Sequence, residues 1–386
     1  MSLPSSPLPG PASGVPNSTG ARPVTTSAIE WPDAARQQAF EHWLAHTGQA
    51  HGLLTPSVRP ASADASFRRY FRVDRASGGS CIVMDAPPAQ ENCRPFVQVA
   101  ALMAAAGLRV PDILAWDEPQ GFMLLSDLGN QTLLDVLDTE QPQANLPHYQ
   151  NAVAALLAWQ SASQPGVLPT CDEALLRREL QLFPDWYLTQ HKGLTLNPTQ
   201  LAMLDKTFAT IVARNLAGPK VFVHRDFMPR NLMVPPAGCA PATAAQALGV
   251  LDFQDAVHGP VTYDVASLMR DAFLTWEEDF VLEVTIRYWE KARKAGLLDF
   301  EGWSEDFGEF YRAVEWMGLE RHLKVMGIFA RLTLRDGKPK YLADTPRFVM
   351  YVRNTASRYR ELTPLLRLID EVEGLQAATG FAYGRV

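Results

Sequence analysis

The pattern of apolar and polar positions divides the chain into a first part typical of short strands and a second part dominated by helices. Between residues 67 and 125, short apolar or aromatic-rich runs are separated by glycine, proline and aspartate, which favours strands joined by turns. From Thr132 onward, apolar residues recur mainly at the three- and four-residue spacing of a helix face. This order, with strands first and helices later, predicts an α+β protein.

The same pattern predicts the individual elements. The strand-like runs are 67–73, 81–84, 110–114, 122–125, 221–223, 232–234 and 248–251, and Gly78 with Gly79 marks a tight turn between the first two. The helix-like segments are 30–54, 96–106, 154–159, 173–183, 201–216, 265–273, 278–294, 307–332 and 344–362, and one more helix is predicted to begin with Thr363 as its cap.

Composition shifts suggest where the chain divides. Residues 1–29 are rich in proline, serine, glycine and threonine and nearly lack large apolar side chains, so we predict a disordered N-terminal tail. Residues 30–128 are predicted to form an N-lobe, and residues 129–386 a C-lobe. The polar segment 126–129 interrupts the strand pattern, as a linker between two lobes would. Residues 235–247, rich in proline and alanine, predict a loose insertion between two strands.

Charge and cysteine content narrow the class of protein. The formal net charge is -7, which argues against a broad nucleic-acid-binding surface. No apolar run reaches the roughly 20 residues of a membrane span, so we expect no membrane partner. The four cysteines have no metal-ligand spacing and suggest free thiols in a reducing compartment. The N-terminus also lacks the pattern of a signal peptide, and we therefore predict a cytoplasmic location and a monomer.

The stretch between residues 221 and 252 is the most specific in the chain. The apolar run 221–223 ends in His224-Arg225-Asp226, Asn231 follows, and a later apolar run delivers Asp252. This is the H-R-D-x-x-x-x-N pattern of a kinase catalytic loop, with an Asp-Phe pair where that pattern has D-F-G. The alternative is a pair of core strands whose acids only cap turns.

Phosphoryl transfer explains why these residue types recur at this spacing. The reaction asks a protein mainly for positioning and for charge neutralisation. Asp226 is placed to meet the attacking hydroxyl, and Asn231 and Asp252 supply the hard oxygen ligands that Mg²⁺ prefers. His224 is expected to fix the backbone of the loop rather than to react. ATP and Mg²⁺ are therefore the predicted cofactors.

The N-terminal strands would cover the nucleotide. Small residues before the strand 67–73 would let backbone N–H groups approach the phosphates, and Ser66 would add a hydroxyl. A nucleobase would pair with backbone groups of the linker. Taken alone, either feature is also consistent with an ordinary surface hairpin or an ordinary loop. The nucleotide-binding residues predicted in these two places are Ser66, Phe67, Arg68, Arg69, Ser126, Asp127 and Leu128.

The motifs at 224–231, 250–255 and 263–266 resemble those of the aminoglycoside phosphotransferase-like kinases, over about residues 61–334. That resemblance implies a two-lobed protein-kinase-like fold, with a small, mainly antiparallel β N-lobe and a larger, mainly helical C-lobe. It implies that Asp226 is the catalytic base, that Asn231 and Asp252 bind Mg²⁺, and that Asp264 ties the loop to the following helix. We also place His224 and Arg230, within the same motif, in the catalytic group.

Within that family the chain is most similar to the anomeric sugar kinases of peptidoglycan recycling. The segments that carry this narrower resemblance are 65–72, 83–88 and 321–332. It implies an ATP-dependent enzyme that phosphorylates the C1 hydroxyl of N-acetylmuramate and N-acetylglucosamine. Two alternatives stay open: a kinase of another small hydroxyl compound, such as an aminoglycoside or choline, and a non-catalytic nucleotide-binding pseudokinase.

One departure from the family pattern concerns the phosphates. Kinases of this architecture usually carry a lysine on the strand after the hairpin and a helix glutamate that holds it. The strand here is Ile82-Val83-Met84-Asp85, without lysine, and the helix beginning near Phe96 has Gln98 but no acid. Either an arginine among Arg68, Arg69 and Arg72 provides the phosphate cation, or the chain binds without catalysing.

The sugar-binding side is less specific in sequence. Arg321 and Lys324 lie within one helical turn and are predicted to meet a lactyl carboxylate, and several other polar residues could meet sugar hydroxyls. For each of them an ordinary solvated face is the competing interpretation. The candidate substrate residues are Gln254, Asp255, His258, Asp271, Arg321 and Lys324.

Overall fold

The computed structural model describes residues 29, 31, 33–63, 67–236, 238 and 240–375, without the side chains of residues 62 and 63. The predicted tail 1–29, apart from Ile29, and Ser66 lie outside them. A five-stranded antiparallel sheet comes first, in the order β1-β2-β3-β5-β4. Its strands are β1 (Arg59–Ala63), β2 (Arg69–Asp74), β3 (Ser80–Asp85), β4 (Ile113–Asp117) and β5 (Phe122–Ser126).

Helices dominate the rest of the described chain. Two accompany the sheet, and the others follow it: α1 (Ala34–His51), α2 (Arg94–Ala105), α3 (Leu133–Val136), α4 (Leu146–Ser161), α5 (Glu173–Leu182), α6 (Pro198–Ala217), α7 (Thr262–Met269), α8 (Glu278–Lys294), α9 (Phe307–Leu334), α10 (Thr345–Arg358) and α11 (Thr363–Glu373). The predicted α+β fold, with a small antiparallel β part and a larger helical part, is confirmed.

Strand alternation gives the sheet two apolar faces. Phe71, Val83 and Phe122 belong to a cluster with the apolar side of α1. Met84 and Met123, which neighbour them along the strands, belong instead to the main core together with α2. Successive side chains of a strand point to opposite faces, so the sheet packs a helix on one side and the helical part of the protein on the other.

Two short antiparallel strand pairs present the catalytic stretch. They are β6 (Lys220–Val223) with β9 (Val257–Pro260), and β7 (Leu232–Met233) with β8 (Gly249–Val250). The first, second and third apolar runs of this stretch thus form strands, as predicted. The fourth strand, β9, was not predicted, because its sequence Val-His-Gly-Pro contains glycine and proline, which are depleted in strands.

The structure corrects the prediction at the end of one helix and at the cap of another. The helix expected over 265–273 is α7, which ends at Met269, because Asp271 accepts hydrogen bonds from the Phe273 and Leu274 N–H groups and turns the chain. Thr363 is the first residue of α11 and makes no capping hydrogen bond with its side chain, so its predicted role as the cap is wrong. None of the described helices is both long and apolar enough to cross a bilayer.

The long helix α9 runs through the core of the helical part. A π-helical segment, Phe183–His191, continues α5 and packs across α9. The two backbones approach so closely at Gly327 that a Cβ atom there would lie 2.3 Å from the Leu182 carbonyl oxygen. Glycine at this position therefore sets the distance between α9 and the α5 end.

We expect Gly327→Ala to lower the free energy of unfolding by about 1–3 kcal/mol, the usual cost of overpacking. The carbonyl that it would meet is backbone and cannot rotate away. Gly302→Ala is the matched control, since a Cβ there meets nothing within 4 Å. Urea denaturation followed by circular dichroism would measure both. Equal stability of the two variants would contradict the close approach.

Candidate active site

The catalytic loop is held by one carboxylate. Asp264, in the first turn of α7, accepts hydrogen bonds from the His224 N–H at 2.6 Å and from the Arg225 N–H at 2.9 Å. Arg225 has a φ of 78°, the left-handed region that non-glycine residues rarely adopt. Such a conformation costs about 1–3 kcal/mol and persists only where the surroundings enforce it. Asp264 thus ties the loop to the following helix.

Three further contacts fix Arg225. Its carbonyl oxygen accepts hydrogen bonds from the Ser267 Oγ at 3.1 Å and from the Arg321 Nη1 at 2.6 Å. Its guanidinium pairs with Glu179 of α5. Groups from α5, α7 and α9 therefore fix the residue immediately before Asp226.

His224 is fully buried and bonds to backbone groups. Its Nδ1 accepts from the Asp226 N–H at 3.2 Å, and its Nε2 lies 2.9 Å from the Leu251 carbonyl oxygen. Because Nδ1 accepts, the ring proton sits on Nε2, which donates to Leu251. Burial lowers the pKa of His224, against the raising effect of Asp264 and Asp226. A neutral histidine that links two backbone segments matches the predicted role of fixing the loop.

Asp226 is suited to accept a proton. Its side chain is 37% exposed, and its Oδ1 lies 3.8 Å from the Arg321 Nη2. Burial raises its pKa, but Lys324, Arg321 and Arg225 together lower it below the ordinary value. The carboxylate is therefore ionised at neutral pH and reachable from outside.

The two predicted metal ligands lie beside Asp226. The Asn231 Nδ2 donates to the Asp226 carbonyl oxygen at 2.9 Å and lies 3.5 Å from the Asp252 Oδ2. Because the amide nitrogen is used in this way, the amide oxygen is the atom that Asn231 can offer to a cation. Asp252 has a φ of 63°. Its carboxylate lies beside the Asn231 amide, as expected if the two residues bind one cation.

Gln254, a predicted substrate residue, lies beside the predicted metal ligand Asp252. Its Nε2 donates to the Asp252 Oδ1 at 2.9 Å, and its Oε1 is buried without a hydrogen-bond partner. An unpartnered oxygen beside a carboxylate suits a nearby cation. Among the described residues, no group of three or more histidine, cysteine or acidic side chains is placed to hold a metal by itself. A cation here would need oxygens from a bound molecule, as Mg²⁺ takes from phosphates.

A cavity of about 310 Å³ lies next to these ligands. The sheet supplies one wall of it, the 126–130 segment a second, and the catalytic stretch a third. Its lining includes Ser126, Asp127, Leu128, Arg230, Asn231 and Asp252. The predicted linker residues and the predicted metal ligands thus share one cavity between the sheet and the helical part.

The three arginines that the sequence offered for the phosphates lie in three different places. Arg72 donates from Nε to the Asp127 Oδ2 at 2.6 Å and from Nη2 to the Gly129 carbonyl oxygen at 2.7 Å. Arg69 pairs with Asp85 on the other face of the sheet. Arg68 pairs with Glu91, its Nε 3.2 Å from Oε2, ahead of α2.

Arg321 and Lys324, predicted to meet the substrate, lie inside the protein. Lys324 is 8% exposed, and its Nζ donates to the Glu179 Oε1 at 2.7 Å and to the Tyr263 hydroxyl at 3.0 Å. Arg321 contacts the catalytic loop, as described above. These contacts favour a role in positioning the loop over contact with a sugar carboxylate.

Glu179 was not among the residues predicted from the sequence, although its position on a helix indicated a buried charge. It stands three residues after Leu176 and one before Leu180 on the buried side of α5, where a charged residue needs a partner. Burial opposes its ionisation, but Lys324 and Arg225 lower its pKa to about 2. Glu320, fully buried close by, has its pKa raised to about 8 by burial and by the charge of Glu179. At neutral pH, Glu179 is ionised and Glu320 is protonated.

The remaining predicted residues are spread around this centre. Asp255 is exposed in the loop after Asp252, and the Arg230 guanidinium stacks on Phe273. Asp271 is buried just after α7 with its Oδ2 unpartnered, and burial raises its pKa to about 6. His258 lies in β9 against Phe222, paired with β6. Phe67 is exposed at the start of β2.

The fold and the loop define a kinase of protein-kinase-like architecture. The sequence profile of the phosphotransferase enzyme family matches residues 57–303. The chain is 49% identical, over 89% of its length and 99% of the relative's, to the N-acetylmuramate/N-acetylglucosamine kinase of Pseudomonas aeruginosa. It is 46% identical to the kinase of that name from Neisseria meningitidis, over 84% of this chain and 93% of that one.

A solved structure shares the fold at low identity. The ethanolamine kinase of Plasmodium vivax superposes with a TM-score of 0.57 at 11% identity, covering 89% of this chain and 93% of that one. The chain belongs to the phosphotransferase enzyme family, and it is a kinase.

We expect Glu320→Gln to change how stability depends on pH. In the parent protein the folded pKa of Glu320 is raised from about 4.5 to about 8, so folding takes up a proton and stability falls as pH rises through this window. Glutamine mimics the protonated form and removes that loss. The melting temperature of the variant minus that of the parent should therefore increase by roughly several °C from pH 5 to pH 8.5.

Thermal melts followed by circular dichroism would test this, with Glu309→Gln as the control. Glu309 lies on the same helix with an exposed carboxylate. Parallel pH curves for Glu320→Gln and the parent would show that Glu320 does not take up a proton on folding.

Proposed function

We propose that this kinase transfers the γ-phosphoryl group of ATP to the C1 hydroxyl of N-acetylmuramate and N-acetylglucosamine. The observation that carries the proposal is the geometry of Asn231, whose side chain bridges Asp226 and Asp252 and so joins the base to the metal ligands. The substrate rests on the near full-length similarity to kinases that bear those sugars in their names. Cell-wall recycling in the cytoplasm stays the predicted setting.

In this proposal each residue has its own task. Asn231 and Asp252 would hold Mg²⁺, and a bound Mg²⁺ neutralises charge on the phosphates. Asp226, kept ionised by Arg321 and Lys324, accepts the proton of the sugar hydroxyl and holds that oxygen in line with the phosphoryl group. The cavity lined by residues 126–130 takes the nucleotide, with the adenine against the backbone of this segment.

The anomeric hydroxyl suits this site. It is more acidic than other sugar hydroxyls, because the ring oxygen withdraws charge. It therefore needs less assistance from the base, and positioning supplies much of the rate. The exposed Asp255 and the unpartnered oxygen of Asp271 stay candidates for directed hydrogen bonds to the sugar.

Specific residues bear on the two alternative functions, a pseudokinase and a kinase of another small hydroxyl compound. A pseudokinase would often lack the base or a metal ligand, and this chain has Asp226, Asn231 and Asp252 in one place. An aminoglycoside or choline kinase needs an acidic pocket for a cationic substrate. The basic pair Arg321 and Lys324 is engaged inside the protein and does not decide the charge of such a pocket, so the similarity to the amino-sugar kinases carries that distinction.

We expect Asp226→Asn to lower turnover by about 10²–10⁴-fold, because the amide keeps the shape but cannot accept the proton. ATP affinity should stay close to that of the parent. Steady-state assays of ADP release, with ATP binding by calorimetry, would measure the two effects. Asp205→Asn, on the exposed face of α6, is the control. Unchanged turnover would remove Asp226 from the mechanism.

We expect both amino sugars to be phosphorylated at C1 and their methyl glycosides, whose C1 oxygen is blocked, to be inert. ³¹P and ¹H NMR of the products would locate the new phosphate. Glucose and an aminoglycoside in the same panel would report on the acceptor class. Phosphate at C6, or efficient use of the methyl glycosides, would refute the anomeric assignment and leave the kinase assignment in place.

A further inference from the structure

A phosphate-binding cation is still required, since ATP brings several negative charges and the strand that usually carries a lysine has none. Arg69 pairs with Asp85, which also pairs with Arg36, and it stacks on Trp31. That side of the sheet faces α1 and not the cavity. Arg72 is tied to Asp127 in the linker. The Arg68 side chain is placed differently from both.

Arg68 and Glu91 form a pair shielded from solvent. Their side chains are 13% and 15% exposed, and the Arg68 Nε lies 3.2 Å from the Glu91 Oε2. The other oxygen of Glu91 accepts from the Phe67 N–H at 3.3 Å. One carboxylate thus holds both the backbone just before Arg68 and its guanidinium. This is more than a loose surface pair, because it fixes where the start of β2 lies relative to the segment before α2.

The surroundings of Arg68 connect it to the cavity. Burial opposes its charged form, but Tyr70, Glu91 and Asp252 raise its pKa overall. Tyr70 and Asp252 both line the 310 Å³ cavity. Arg68 also shares a side-chain hydrogen bond with Tyr70, which brings its guanidinium to the wall of this cavity, in which Asp252 marks the predicted metal-binding end. The phosphates of a nucleotide would lie at this end if its base lies against the linker.

We propose that Arg68 binds the β- and γ-phosphates of ATP and that Glu91 is its positioning residue. The pair takes over the task that a strand lysine and a helix glutamate perform in related kinases. A guanidinium has five N–H donors in a planar fork, so it can meet a carboxylate on one edge and phosphate oxygens on another. This inference deepens the proposed function, on whose nucleotide site it rests.

The position of Glu91 explains why the Arg68–Glu91 pair was not recognised in the sequence. The usual acid belongs to the helix, and α2 begins only at Arg94. Glu91 lies three residues earlier, where its own N–H donates to the Pro87 carbonyl oxygen at 2.9 Å. Arginine is longer than lysine and starts here from the beginning of β2. The cation and its acid have therefore both moved out of the elements that usually carry them.

Calorimetric titration of ATP, ADP and adenosine, with Mg²⁺ and without sugar, tests the proposal. Arg68→Gln should weaken ATP binding by about 10–100-fold, as expected for a lost charge-assisted contact, and should leave adenosine binding unchanged. Glu91→Gln should weaken ATP binding by a smaller factor, about 3–10-fold. The double variant should bind ATP no more weakly than Arg68→Gln, because Glu91 acts through Arg68.

Arg94→Gln is the matched control, because Arg94 and Glu118 form a neighbouring pair with side chains 75% and 45% exposed. It should bind ATP as the parent does. Arg68→Lys should recover part of the ATP affinity. Parent-like ATP affinity in Arg68→Gln, or an equal loss for adenosine, would overturn the proposal. A loss that appears only in Arg230→Gln would assign the phosphates to Arg230 instead.

These titrations contain no sugar, so they are independent of the acceptor. If the amino sugars prove not to be substrates while Arg68→Gln loses ATP affinity selectively, the sugar assignment fails and the phosphate assignment stands. If Asp226→Asn abolishes turnover on the sugars while Arg68→Gln binds ATP normally, the reverse holds.

Discussion

The active site depends on the Asp264 carboxylate, which accepts hydrogen bonds from two consecutive backbone N–H groups at the end of β6. Those bonds hold Arg225 in a left-handed conformation that it would not adopt alone. In the turn that results, the Asp226 carbonyl oxygen accepts a hydrogen bond from the Asn231 amide. Burial raises the pKa of Asp264 to about 6, although His224 and the two N–H groups oppose this. The carboxylate that shapes the loop is therefore largely ionised at neutral pH.

A second requirement follows from burying charge near that loop. Glu179 receives Lys324 and Arg225, and a buried carboxylate is tolerable only when such partners satisfy it. Removing one partner would leave the other charge unpaired, which usually costs more than the pair itself gains. The network links α5 and α9 to the residue before Asp226. The cations of α9 thus act on Asp226 through the electrostatic field, which lowers the pKa of its carboxyl group.

Features that depend on neighbouring residues could be predicted from the sequence, whereas features that depend on residues distant in sequence could not. Most of the strands, the long helices and the H-R-D-x-x-x-x-N loop were predicted, because periodicity and spacing are properties of neighbouring residues. The partner of Lys324 was not, since Glu179 lies 145 residues away and only the tertiary fold brings them together. Arg321 and Lys324 therefore resembled a solvated basic turn. The end of α7 was placed too late for a similar reason: Asp271 turns the chain through its own backbone hydrogen bonds, which apolar periodicity does not record.

Arg68, just before β2, and Arg69 and Arg72, within it, have three different roles. Arg72 binds Asp127, whose Oδ1 also accepts from the Gly129 N–H at 2.9 Å, so it stiffens the linker that faces the cavity. Arg69 points to the opposite face, as strand alternation requires, and anchors α1 through Asp85. Arg69 is turned toward α1, and Arg72, although it lines the cavity, has its guanidinium engaged by Asp127 and by the Gly129 carbonyl oxygen. Position along the strand, rather than residue type, thus separates the arginine that meets the nucleotide from the two that build its surroundings.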